Sequence, residues 1–312
     1  MKHLFVLICI FSLSFTLSAQ KIGLVLSGGG AKGLAHIGLI KVLEENNIPI
    51  DYIAGTSMGA IVAAMYASGM SADEMVAIVT GSDFQNWALG NVSEEYKYQF
   101  LKREEDASWL DLNFNLDSGF KPQIPTGMIP THSMDFAFME YFAPPSAAAG
   151  YDFDSLFVPF RCVASDVNLR EAVIFSEGDL GSAVRASMAA PFYFSPVVIK
   201  GKLLFDGGIY NNFPVDVLIK DFNPDYIIGC NVSHNSTPAS EENPLLQLEN
   251  MIVAPTDYSV PPEKGVLIEP DIQGIKFADF SKAWEIIDRG YQESLNNIDE
   301  IKANVHRCVS VE

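Results

Sequence analysis

A chain of 312 residues, 48% hydrophobic and 19% charged, has enough apolar material for a globular core and is not the composition of a disordered protein. Its formal net charge of −19 argues against nucleic acid as a partner and against electrostatic attraction to anionic membrane. Lipid contact, if made, is expected to be transient and mostly apolar.

Residues 1–19 form a pattern of their own. Lys2 and His3 precede an apolar run from Leu4 to Leu17, and Ser18-Ala19 then supplies small residues. This reads as a secretory signal peptide, because the apolar run is shorter than the 18 to 20 or so residues a membrane-spanning helix needs. Residues 20–312 are then expected as one exported domain, periplasmic or secreted. That stretch keeps Cys162, Cys230 and Cys308, an odd number without C-x-x-C spacing. No disulfide framework is expected, and neither H-E-x-x-H nor paired-cysteine spacing offers a metal site. Cys162 and Cys230 fall in apolar runs, where a reduced cysteine serves as a small hydrophobe.

Ile22-Gly23-Leu24-Val25-Leu26 is a continuous apolar run, expected as a strand buried on both faces of a parallel sheet. Leu34, Ile37, Ile40 and Leu43 recur at helical spacing behind it, and Pro49 ends the pattern. Between them stands Gly28-Gly29-Gly30-Ala31-Lys32-Gly33. These glycines have three possible uses. They match the G-x-G-x-x-G turn of an NAD(P)-binding oxidoreductase, with Asp51 placed as a ribose-binding acid. They can equally turn backbone N–H groups inward at a helix N-terminus to form an oxyanion hole, or simply make a tight turn.

Tyr52-Ile53-Ala54 leads into Gly55-Thr56-Ser57-Met58-Gly59, and a helix of small residues follows from Ala60. Strand, G-x-S-x-G and helix in that order form a nucleophile elbow, where Ser57 is held strained and both flanks must lack bulk. A serine nucleophile beside the first loop favours the oxyanion use of its glycines. Another helix is expected from Ser71 to Ile78. From about 83 to 153 the pattern turns irregular and aromatic, including Phe84, Trp87, Trp109, Phe114, Phe120, Phe136, Phe138 and Phe142, with prolines at 122, 125, 130, 144 and 145. It reads as an apolar cap over an acyl site or as an excursion with its own small core. Ala143 to Gly150 is expected as a flexible loop.

Strands are expected at Phe160–Ala164 and Ala172–Phe175. Asp166 and Arg185 are expected to order a loop or helix end, and Ala183–Ala190 to form a small-residue helix stopped by Pro191. Phe192-Tyr193-Phe194 suits either core or the rim of a lipid entrance. Val197–Ile199 and Leu203–Phe205 flank a hairpin turn, and the second strand delivers Asp206-Gly207-Gly208. An aspartate followed by glycines at a strand end lets another backbone come close, as a catalytic acid requires. Tyr226–Cys230 and Gly265–Ile268 read as further buried strands, Ser281–Ala303 as a long amphipathic helix, and His234–Tyr258 as loop.

The three ordered motifs, Ser-Gly-Gly-Gly-Ala-Lys-Gly from Ser27, Gly-Thr-Ser-Met-Gly from Gly55 and Asp-Gly-Gly from Asp206, resemble those of the bacterial patatin-like phospholipases. The likeness extends through Val184–Met188 and Tyr210–Pro214 to the region from Gly265 to Ala303. It implies a three-layer α/β/α sandwich with a mostly parallel central sheet. It also implies a lipid acyl hydrolase acting on lipid or phospholipid esters without metal or organic cofactor. Ser57 would be the nucleophile and Asp206 its base. The N–H groups of Gly28, Gly29 and Gly30 would form the oxyanion hole, and Gly33, Gly55, Gly59, Gly207 and Gly208 would support the motifs. Lys32 takes a place that is arginine in plant patatins. A catalytically silent lipid-binding protein and the NAD(P) enzyme stand as alternatives. His234 follows Ser57 and Asp206 in chain order, so a Ser-Asp-His triad rivals the dyad.

Overall fold

The run Ile22–Leu26 forms β1 at the heart of an eight-stranded mixed sheet. The computed structural model describes residues 19–91, 113–115, 121–123, 127–238, 240–242 and 244–309. The signal-peptide expectation therefore lies outside the described residues apart from Ala19, as do Trp109, Phe120 and Pro125. β1 pairs in parallel with β2 (Tyr52–Thr56) on one edge and with β9 (Tyr226–Cys230) on the other. β9 pairs in parallel with β10 (Gly265–Ile268), and β2 with β5 (Phe160–Asp166). The far end is antiparallel: β5 pairs with β6 (Glu171–Phe175) and with β8 (Lys202–Asp206), which hairpins with β7 (Val197–Ile199). The short strands β3 (Asn113–Asn115) and β4 (Lys121–Gln123) form a separate pair.

Alternation along β1 sends residues to both sides, and both sides are covered. Ile22, Leu24 and Leu26 join the larger core with α1 (Ala35–Glu45), α2 (Met58–Ala67) and α9 (Ala283–Asn304), whereas Val25 packs with Leu218 of α7 (Val215–Phe222) on the opposite face. Helix, sheet and helix make the three layers. Side chains such as Leu24, Leu26 and Ile53 have no exposure, each worth about 1.5–3 kcal/mol of burial. α1 and α9 meet backbone to backbone, since a Cβ on Gly38 or Gly290 would overlap the facing main chain.

The pairing register explains how two distant motifs meet. β6 occupies one edge of β5, so β2 and β8 share the other. β2 runs parallel and ends with Thr56 opposite Val163, while β8 runs antiparallel and ends with Asp206 opposite Ala164. The two strands thus finish head to head, and the residues at their ends face each other.

Two stretches differ from the sequence expectation. Residues 83–153 contain regular structure: α4 (Ser82–Leu89), next to α3 (Ala72–Val79), and α5 (His132–Ala148). α5 absorbs most of the supposed flexible loop at Ala143–Gly150, with Pro144 and Pro145 inside it. The anchoring of its neighbours outweighs the two lost N–H donors: Phe142 and Ser146 are buried, and Ser146 Oγ donates to Gly178 O and accepts from Leu180 N. The second is α8 (Pro244–Ile252), inside the supposed loop from His234 to Tyr258. Proline there opens the helix, where its missing N–H costs nothing.

Candidate active site

Ser57 lies between β2 and α2 with φ 55° and ψ −123°, a conformation that a non-glycine residue holds only when its surroundings impose it. They do so here through close packing. A Cβ on Gly55 would overlap the Gly59 carbonyl, and one on Gly59 would overlap that of Leu26, so the turn, strand and helix are in main-chain contact. The Ser57 N–H donates to Ser187 Oγ at 3.0 Å, and that hydroxyl donates to Val163 O at 2.6 Å. Ser187 ends α6 (Leu180–Ser187) and is wholly buried. Sequence reading passed over its role, because its partner lies 130 residues away and no neighbouring residue points to the elbow.

Ser57 Oγ donates to Asp206 Oδ2 at 2.6 Å, and Asp206 Oδ1 accepts from Gly208 N at 2.8 Å. No imidazole stands between them. Burial lifts the Asp206 carboxyl from 3.8 to about 6, with the hydrogen bonds from Ser57 and Gly208 opposing the shift. A base of that strength is mostly ionised at neutral pH and still able to take a proton, the balance general-base work requires. His234 lines the same open cavity of about 620 Å³ but is not a partner of Asp206.

Gly29, Lys32, Ser57, Asp206 and Asn212 also line that cavity. The Gly29 and Gly30 N–H groups have no acceptor among the described residues. Gly28 differs from the expectation: its N–H donates to Asn212 O at 3.1 Å and is spent on holding the loop. Gly30 sits at φ 58° against the Phe277 carbonyl, which accepts from Ala31 N at 2.8 Å, so only glycine fits. His36, buried, is lowered to about 4 by its burial, and it is paired through Nε2 with Ser27 O at 2.8 Å. Asn212 pins the other flank: its N donates to Thr256 Oγ1 and its Nδ2 to Tyr258 Oη. Gly33 and Gly207 pack against Met58 and the Val163 carbonyl, and Gly208 lies beside Asn212 Oδ1.

The polar residues outside this centre have structural work. Asp166 Oδ1 accepts from Asn168 N and Leu169 N in the β5–β6 turn, and Arg185 Nε donates to Asp135 Oδ1 at 2.9 Å, joining α6 to α5. Cys162 and Cys230 are buried free thiols, raised in pKa by burial. Phe194 is buried whereas Phe192 is exposed, so that aromatic triplet is both core and rim. Asp51 precedes β2, accepts from Ile22 N at 2.8 Å and pairs with Arg307. It lies at the start of β1 while the glycine loop lies at its end, about 13 Å of strand away. The dinucleotide alternative loses its ribose-binding acid.

Fold and site together define an α/β protein with a serine–carboxylate pair on a nucleophile elbow beside a glycine-rich N–H cradle. A family profile described as Patatin-like phospholipase matches residues 24–219. The chain belongs to the patatin-like phospholipase family. It is 29% identical over 218 residues to patatin-like phospholipase domain-containing protein ZK370.4 of Caenorhabditis elegans, covering 69% of this chain and 14% of that protein. Over 207 residues it is 31% identical to patatin-like phospholipase domain-containing protein 6 of Homo sapiens, covering 66% and 13%. Over 203 residues it is 32% identical to lysophospholipase NTE1 of Kluyveromyces lactis, covering 65% and 12%. The chain thus spans only about an eighth of the length of these relatives, all eukaryotic, and the match supports the family without its bacterial branch. The solved structure of VipD from Legionella pneumophila aligns over 90% of this chain and 67% of that one at 13% identity and TM-score 0.46.

Proposed function

We propose that this protein hydrolyses acyl esters of lipids, of the phospholipase A or lysophospholipase type, through a Ser57–Asp206 dyad. The observation that carries the reading is the 2.6 Å hydrogen bond from Ser57 Oγ to Asp206, made at a strained elbow beside the free N–H groups of Gly29 and Gly30. Asp206 takes the Ser57 proton as Oγ bonds to the ester carbonyl carbon. The two glycine N–H groups receive the developing oxyanion, each such donor being worth about 10²- to 10³-fold in rate. Asp206 then protonates the departing alcohol, and water, giving its proton to the same carboxylate, releases the acid from Ser57. The name of the yeast relative, a lysophospholipase, supports lysophospholipids as substrates.

The mouth of the open cavity suits a lipid aggregate. Met128, Phe192 and Ile252 line the cavity while exposed to solvent, and Met251, next to Ile252 in the chain, is 79% exposed. On an acidic protein such a rim favours brief apolar contact with uncharged or zwitterionic lipid. The charged, apolar and small-residue pattern of residues 1–19 supports export to the periplasm or exterior. Incubation with a mixed lipid extract, followed by mass spectrometry of the products, tests the reading. Free fatty acid released by wild type and not by Ser57→Ala is expected; unchanged lipids with a folded protein that binds them would instead indicate a silent lipid-binding protein.

A further inference from the structure

The dyad leaves one buried ring near it without work. His36, in the first turn of α1, has no solvent exposure, and Ala35, Ile37, Leu39 and Ile40 around it in the helix are equally buried and apolar. Burial lowers its pKa to about 4, so the ring is neutral and carries one hydrogen. Nε2 lies 2.8 Å from Ser27 O, and a carbonyl can only accept, so the hydrogen is on Nε2. Nδ1 is buried and finds no partner among the described residues. A half-satisfied imidazole in apolar surroundings costs stability, and the bond to Ser27 O is what the position gains in return. That bond falls on the peptide that leads into the N–H cradle. Ser27 is itself tied to the end of β9, its N–H donating to Cys230 O at 3.1 Å and its Oγ accepting from Val232 N at 2.9 Å. The Ser27–Gly28 peptide is then gripped on both sides, its carbonyl by His36 and its N–H by Asn212 O. It lies against the nucleophile, since a Cβ on Gly28 would come within 3.0 Å of the Ser57 Cβ.

We infer that His36 is a positioning residue for the reaction, fixing the Ser27–Gly28 peptide so that the Gly29 and Gly30 N–H groups stand where the oxyanion forms. The inference rests on the ester-hydrolase reading above and extends it to a side chain that bonds to neither member of the dyad. Without the imidazole, Ser27 O is a buried carbonyl with no donor among the described residues, and it reaches one only by turning its peptide. Turning takes Gly28 N off Asn212 O and carries the loop with it, because three successive glycines have no Cβ to resist the rotation. The two free N–H groups then point away from the developing charge. An interaction made only with that charge is lost, so the effect belongs to the transition state. Substrate binding is spared, since His36 does not line the open cavity.

Wild type, His36→Leu and His36→Gln test this, the glutamine amide taking the place of Nε2. With p-nitrophenyl butyrate, His36→Leu is expected to lower kcat by about 10- to 100-fold while KM stays within about twofold, the order of loss that a displacement of about 1 Å produces. Hexyl trifluoromethyl ketone reads the cradle alone: Ser57 Oγ bonds to its carbonyl carbon, Asp206 takes the serine proton, and the carbonyl oxygen becomes an oxyanion. It should bind His36→Leu more weakly by the same factor as kcat falls, whereas hexyl methyl ketone, which stays a ketone, should bind both proteins alike. His36→Gln should regain most of both losses. Should His36→Leu not fold, His36→Asn, whose amide is too short to reach Ser27 O, takes its place in the comparison. Wild-type kcat and trifluoromethyl ketone affinity in the folded variant that lacks the donor overturn the inference, and so do equal losses in that variant and in His36→Gln. Absence of turnover and of fluorophosphonate labelling at Ser57 in wild type instead removes the hydrolase reading, and this inference with it.

Discussion

Replacing Asp206 by asparagine sets activity against stability, and the structure gives the size of both effects. The carboxyl is only 6% exposed and its pKa stands at about 6 against 3.8 for the free group. Between those values the native state binds the proton more tightly than the unfolded chain, so this group's contribution to stability is fully present below about pH 4. It is lost as pH rises through about 6. At pH 8, where the carboxyl is ionised in both states, a displacement of that size corresponds to about 3 kcal/mol of destabilisation by the buried charge. Asparagine removes that cost, which is already net of the hydrogen bonds from Ser57 and Gly208, but turns an amide N–H group toward one of those two donors, a loss of about 1–2 kcal/mol. Asp206→Asn should therefore gain about 1–2 kcal/mol at pH 8, raising Tm by about 2–6 °C, with little or no gain near pH 4. Its kcat should fall by about 10²-fold or more, and wild-type kcat should climb with pH through about 6 as the base ionises. Melting curves at both pH values read the first effect and a pH–rate profile the second. A variant destabilised equally at pH 4 and pH 8 would refute the account of a base whose charge is buried at a cost.

Three further substitutions separate the roles assigned above. Ser187→Ala leaves the buried Ser57 N–H without an acceptor, and a loss of about 1–3 kcal/mol in denaturant unfolding with a lower kcat is expected, partly restored by threonine. Equal activity and stability would mean that Ser187 does not hold the elbow. His234→Ala should retain most of kcat, since the histidine has no bond to the dyad; a loss as large as that of Ser57→Ala in a folded protein would place the chemistry in a triad. Gly290→Ala drives a Cβ into the Ala35 carbonyl and should cost about 1–3 kcal/mol by separating α1 from α9. Stability unchanged within about 0.5 kcal/mol would contradict that main-chain contact.

The residues that were legible in the sequence are those whose local chemistry is confined to a few neighbours. The continuous apolar run Ile22–Leu26 announced a doubly buried strand, and the Gly55-to-Gly59 pentapeptide announced a turn tight enough to need glycine on both sides. The hairpin at Lys200-Gly201 and the long helix ending at Asn304 were visible for the same reason. What was hidden depends on partners far along the chain. Nothing near Gly28 indicates that its N–H is taken by Asn212, and nothing near Ser187 points to Ser57. Pro144-Pro145 misled because a local rule against proline was outweighed by tertiary anchoring at Phe142 and Ser146. Pro244 misled in the opposite sense, as a helix start read as a break.

The central claim, that Ser57 is a nucleophile activated by Asp206, is tested most directly by covalent labelling. A fluorophosphonate applied at pH 8, followed by peptide mass spectrometry, should give one adduct, on Ser57, in wild type, and a labelling rate slowed by about 10²-fold in Asp206→Asn. A folded wild-type protein that takes no label at Ser57 while a control esterase is labelled, or an Asp206→Asn variant labelled at the wild-type rate, would contradict it.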